Sequence, residues 1–145
     1  MPASPNLAID RELLPQKVME LQATATSKTV GIGYATGAGG AVTQATNRTT
    51  GVALNAICGQ ITTNNASLAA EASAEFTVTN TSVAIGDVVV VAVQSGTNGG
   101  MTEVMVSTVA AGSFKIKVLN NNVAVGTAET GAIIINFAVI KAVAA

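Results

Sequence analysis

The sequence predicts an all-β fold: a jelly-roll-like antiparallel β-sandwich of roughly eight strands over residues 30–145, preceded by an N-terminal arm over residues 1–29 that is part extended, part short helix. Three observations predict it. Thr and Val dominate from Gly31 onward, and both favour the pleated, half-buried surface of a strand. Apolar residues alternate with polar ones in several short runs, while no body segment of ten or more residues repeats at helical spacing. Turn signals recur between those runs, as in sandwiches and jelly rolls.

The arm comes first. Charged residues are few, at 10% against about 25% in an ordinary soluble domain. Six of the seven basic and eight acidic residues, Asp10, Arg11, Glu12, Lys17, Glu20 and Lys28, lie before Gly31. That shift in composition places a segment break near Lys28. Pro2 and Pro5 disfavour helix at the start. In IDRELLPQKVMELQ, Leu14, Val18 and Leu21 recur at spacings of four and three, so Pro15 can open a short helix ending by Gln22. One amphipathic turn is marginal alone and needs a surface to dock on.

The stretch Gly31–Val52, GIGYATGAGGAVTQATNRTTGV, carries Gly31, Gly33, Gly37, Gly39, Gly40 and Gly51, three of them spaced G-x-G-x-x-x-G. A phosphate cradle needs a strand before such glycines and a helix after them. The run AVTQATNRTTG that follows is rich in Thr and lacks an apolar helical face. The glycines therefore read as two turns between short strand pieces, with Gly37–Gly40 supplying positive φ.

Short strands are expected at Val42–Gln44, Gly51–Asn55 and Gln60–Thr63. Leu68–Ala74, LAAEASA, suits one helical turn in a loop. Phe76 and Val78 alternate with Glu75, Thr77 and Thr79 as a half-buried strand. Val88–Val93, VVVVAV, is apolar on both faces and is expected in the middle of a sheet or between two sheets, because an exposed edge of this composition aggregates. Asn98-Gly99 signals a hairpin whose second strand is Glu103–Val109. Ala111-Gly112 turns the chain again. Phe114, Ile116 and Val118 then face inward, with Lys115 and Lys117 outward. Asn120–Asn122 and Gly126 form a loop, and Ile133–Val143 is a last, long strand interrupted by Asn136 and Lys141.

Reactive chemistry has little to draw on. The chain has no histidine, which removes Ser-His-Asp and Cys-His nucleophiles and the commonest zinc ligand. Cys58 is the single cysteine; in AICGQI it reads as an inert buried thiol. Glu71, Glu75, Asp87, Glu103 and Glu129 read as isolated solubilising carboxylates rather than a glycosidase pair. Lys115 and Lys117 read as a solvated face. Asn47-Arg48-Thr49, Asn65-Ala66-Ser67 and Asn80-Thr81-Ser82 match the glycosylation pattern by chance in a Thr- and Asn-rich chain. The aromatic residues are Tyr34, Phe76, Phe114 and Phe137, too few for a stacking platform. A net charge of −1 offers no attraction to nucleic acid or an acidic membrane. MPASPNLAID lacks the pattern of a secretory leader, and GAIIINFAVIKAVAA is too short and too interrupted to span a bilayer. No cofactor and no metal are expected. A surface so poor in charge repels copies of itself weakly and suits an assembled chain.

Four phrases, GYATGAGGAVTQATNRTTGVALNAICGQIT, EFTVTNTSVAIGDVVVVAVQSGT, VAAGSFKIKVLN and INFAVIKA, resemble small structural proteins of tailed bacteriophages, the capsid decoration or cement proteins. The likeness covers about residues 30–142 and lies in the order of phrases, not in a catalytic signature. It implies a jelly-roll-like domain that forms homotrimers on the capsid's outer surface. It also implies an N-terminal arm that reaches neighbouring subunits. The arm residues Leu13, Leu14, Val18, Met19 and Leu21 become the candidate capsid contacts. The expected function is mechanical: a virion protein, made in the host cytoplasm, that bridges major capsid subunits against the pressure of packaged DNA. The alternatives are a receptor- or glycan-binding module of a tail or fibre, since jelly rolls host these too, and, last, a small hydrolase.

Overall fold

The computed structural model describes residues 33–142. The arm with Leu13, Leu14, Val18, Met19 and Leu21 lies outside the described residues. Among the described residues there is no helix, and eight strands form two four-stranded sheets. In chain order the strands are β1 (Gly39–Thr43), β2 (Val52–Ala53), β3 (Cys58–Thr62), β4 (Ser73–Thr79), β5 (Val88–Ser95), β6 (Thr102–Ala110), β7 (Ser113–Asn120) and β8 (Ile134–Ile140). The first sheet runs β1-β3-β8-β5 and the second β2-β4-β7-β6.

The sheets face each other over one apolar core. Period-two alternation turns Phe76 and Val78 of β4 and Phe114, Ile116 and Val118 of β7 inward from the second sheet. Ile61 of β3, Val89 of β5 and Ile135, Phe137 and Val139 of β8 meet them from the first. Phe114 and Phe137 join the sheets directly, their ring centroids 5.3 Å apart and their planes tilted by 51°, an arrangement that adds about 1 kcal/mol to simple burial. The core is close-packed enough that Gly59, facing it from β3, has no room for a side chain. A Cβ there would lie 2.6 Å from the Gly40 carbonyl oxygen and 3.0 Å from the Phe137 ring.

The sheets are mixed, and the expectation of a wholly antiparallel arrangement is corrected at two places. β1 runs parallel to β3, and β2 parallel to β4. The cause is the path of the chain. β1 to β6 lie alternately in the first and second sheets, so neighbours within a sheet are not neighbours in sequence. A parallel pair needs a long crossover, and residues 44–57 and 54–72 supply one each. The single tight hairpin joins β6 to β7 through Ala111 and Gly112, the latter at φ 76°, as the sequence predicts.

Several local expectations are corrected with it. Asn98-Gly99 does turn the chain, with Gly99 at φ 64° and Gly100 at φ 74°. The turn leads from one sheet to the other, so Glu103–Val109 pairs with β7 and not with β5. Leu68–Ala74 holds no helical turn. Leu68 makes a bridge to Glu129, Glu71 takes φ 60° in a tight turn, and β4 begins at Ser73. Of Gly37–Gly40 only Gly37 has positive φ, because Gly39 and Gly40 already belong to β1. Most consequentially, Val88–Val93 is an edge strand. Its inner face meets the core through Val89, but Val88 and Val90 point outward and are exposed.

The crossing between β5 and β6 generates a test. Gly96 sits at φ 94°, and a Cβ there would lie 2.2 Å from the Ala132 carbonyl oxygen, whereas Gly99 faces open space. Gly99→Ala meets only the left-handed backbone penalty, about 1–2 kcal/mol. Gly96→Ala must also displace the backbone before β8 and costs about 3 kcal/mol or more. Urea unfolding of the two variants should separate them in that order.

Candidate functional site

Two features stand out in the described residues: a buried polar cluster at one end of the sheets, and an outer face without charge. Each follows from the chain path. A loop that crosses between sheets leaves the ladders that satisfy its backbone, and those groups must find partners elsewhere.

At the cluster, the Arg48 guanidinium is buried and donates to the carbonyl oxygens of Ala66 (2.5 Å), Gly131 (2.6 Å) and Glu129 (3.3 Å), and to the Thr63 hydroxyl (3.2 Å). The Glu129 carboxylate, only 1% exposed, accepts from the Asn98 N–H (2.6 Å), the Thr102 hydroxyl (2.7 Å) and the Gly131 N–H (3.0 Å). Gln44 and Asn120 extend the same scheme. The Gln44 amide bonds the Arg48 and Thr50 carbonyls and the Asn64 N–H. The Asn120 amide bonds the Leu68 and Thr127 carbonyls. Among the described residues no buried side-chain polar atom lacks a partner.

The electrostatics agree with a structural duty. Burial pushes the Glu129 carboxyl upward, but the Asn98, Thr102 and Gly131 donors and the Arg48 charge outweigh it and hold the group below the usual range. Burial lowers Arg48 while the Glu129 charge opposes that shift; a guanidinium stays protonated regardless. An ionised carboxylate with both oxygens engaged is set to tie loops together. The surface reading of Glu129 is thus corrected, as is that of Asp87, which is buried and bonded to Lys141 (2.6 Å) and the Ala84 N–H (2.8 Å).

The outer face of the first sheet is built by the residues that alternate with the core. Across β3, β8 and β5 it reads Ile140 beside Val88, then Cys58, Ala138 and Val90, then Gln60, Asn136 and Ala92, then Thr62, Ile134 and Ser95. Gln60 donates to Gln94 (2.7 Å), spanning β8 from β3 to β5. Val88, Val90 and Ile140 are 51%, 48% and 54% exposed, and Ile85 in the adjoining turn is 76% exposed. Among the described residues no charged side chain lies on this face. The charges gather on the outer face of the second sheet, at Glu75, Glu103, Lys115 and Lys117. There Lys115 pairs with Glu75 (3.0 Å), and the Ser107 hydroxyl followed by Lys115 holds the Glu75 carboxyl below its ordinary value.

Cys58 is half-buried on the outer face, not in the core as expected, because Gly59 takes the inward position. Of the glycosylation matches, Asn80 is fully buried and bonds the Ala56 carbonyl, whereas Asn47 and Asn65 are exposed. Among the described residues no three of Cys, Asp and Glu gather closely enough to hold a metal ion. Comparison of the chain with protein-family models, curated proteins and solved structures finds no match.

Neither feature is legible from local sequence. Arg48 and Glu129 are 81 residues apart, and the uncharged face needs the sheet order. The available signal was scarcity: where charged residues are few, each one is more often placed for a reason.

Glu129→Gln should cost about 2–3 kcal/mol at pH 7, since it weakens three charge-assisted bonds beside a buried cation. The carboxyl is held low in the folded chain, so its contribution is complete above the ordinary glutamate value and drains away as pH falls below it. Urea midpoints at pH 7 and pH 3 should therefore converge for the parent and Glu129→Gln, with the parent losing more on acidification.

Proposed function

We propose that the protein is a virion structural protein that binds the outer surface of a tailed-phage capsid as a homotrimer and stabilises the shell by bridging major capsid subunits. The observation that carries this reading is the division of labour between the two outer faces. One is charged and suited to water; the other presents Val88, Val90, Ile140 and Ile85 with no charge among them. Monomeric proteins seldom leave such a patch open, and it marks a contact surface. The resemblance of the chain's order of phrases to that of decoration proteins supports the same reading. A jelly-roll-like frame belongs to it as well, carried by two four-stranded sheets over one core, although β1 and β2 run parallel to their partners.

In this reading residues 1–29 are the capsid-binding arm, and Leu13, Leu14, Val18, Met19 and Leu21 are the side chains that dock. Body and arm then act as linked contacts, and threefold symmetry multiplies them, so modest individual contacts add to a firm grip. The function needs no catalysis, cofactor, nucleic acid or membrane.

Sedimentation of the full chain should give the mass of three 14.4 kDa chains. Deleting residues 1–28 should leave a three-chain assembly of the shorter chain and weaken retention on emptied capsids by about a hundredfold. A monomer in solution would overturn the reading, and equal retention of both forms would remove the arm from it.

A further inference from the structure

The geometry points to the Val88–Val90–Ile140 end of the first sheet's outer face as the surface where copies of this chain meet. The inference deepens the reading above, which needs self-association but does not say through which strands.

Charge selects the occupant. The described residues hold nine charged side chains: Arg48, Glu71, Glu75, Asp87, Glu103, Lys115, Lys117, Glu129 and Lys141. Arg48 and Glu129 are buried in the polar cluster. Glu71 precedes β4, and Glu75, Glu103, Lys115 and Lys117 belong to the second sheet. Only Asp87 and Lys141 border the face, and they are bonded to each other, with Lys141 also donating to the Ser82 carbonyl. A partner rich in charge would have its ions desolvated here with nothing to pair them. An identical face brings none, so a second copy meets no like-charge repulsion and no stranded ion.

The edge adds an independent argument. β5 is eight residues long and uncharged, holds no proline, and among the described residues pairs with β8 alone. Soluble proteins ordinarily blunt such an edge with lysine or proline. The nearest lysine, Lys141, is tied to Asp87 and Ser82 and does not shield it. Around a threefold axis, the same Val88, Val90 and Ile140 from each copy can close on one another, covering both the valines and the flank of the edge.

The test compares three full-length chains: the parent, Val90→Lys/Ile140→Lys, and Met105→Lys. Met105 is 45% exposed on the charged outer face of the second sheet. Both sites of the double variant point outward, and circular dichroism checks that its sheets form. Sedimentation should give a three-chain mass for the parent and Met105→Lys, and a one-chain mass for the double variant, with self-affinity down about a hundredfold or more. Cys58 lies in the same row as Val90, so its reaction with a maleimide should be at least about tenfold slower in the parent than in the double variant. A parent oligomer that survives the double substitution would overturn this face while leaving self-association intact. A monomeric parent would sink both readings, and a monomeric parent with slow Cys58 would place a segment of the chain itself over the face.

Discussion

The constraint on which the rest depends is that the chain changes sheet at almost every turn. Among the described strands only β6 and β7 follow one another within a sheet. Each other connection passes over an end of the core, where its backbone groups have no ladder. Each buried group left without a partner there would cost about 1–3 kcal/mol, a large share of a domain's net stability. Arg48, Glu129, Gln44, Asn80 and Asn120 exist in the interior to prevent that. Their positions account for a peculiarity of composition: part of the chain's amide content serves its inside, not its surface.

This arrangement sorts what local sequence can reveal. Phe114, Ile116 and Val118 alternate cleanly with Lys115 and Lys117 because a strand with one wet face writes its orientation into every second residue. Asn98-Gly99 reveals a turn because the positive φ that the turn needs at Gly99 is cheap for glycine; its destination stays hidden, since nothing local distinguishes a hairpin from a crossing. VVVVAV reveals a strand but misleads about its place. Apolar residues on both faces imply two covers, and the described residues supply the one over the inner face. The Arg48–Glu129 cluster lies beyond such reading altogether, because its members meet only after the loops have crossed.

The two outer faces tell the same story from outside. Sequence-averaged composition describes a chain poor in charge, yet among the described residues the charged side chains that stand on a sheet's outer face all stand on the second sheet. Segregation of this kind has no bearing on the core, which is satisfied by the inward residues alone. It is a property of the surface, and it is the feature on which the proposed function rests.

The place of β8 has a further consequence for biosynthesis. It is the latest of the described strands, yet it lies between β3 and β5 and is the one ladder partner of β5 among them. VVVVAV is made before residues 96–133, and the strand that will hold it leaves the ribosome only at the end of synthesis. That segment is therefore unpaired until the chain is released, when chaperone capture or premature clumping competes with folding. Yield of properly assembled protein should thus be governed as much by the tempo of synthesis as by the stability finally reached.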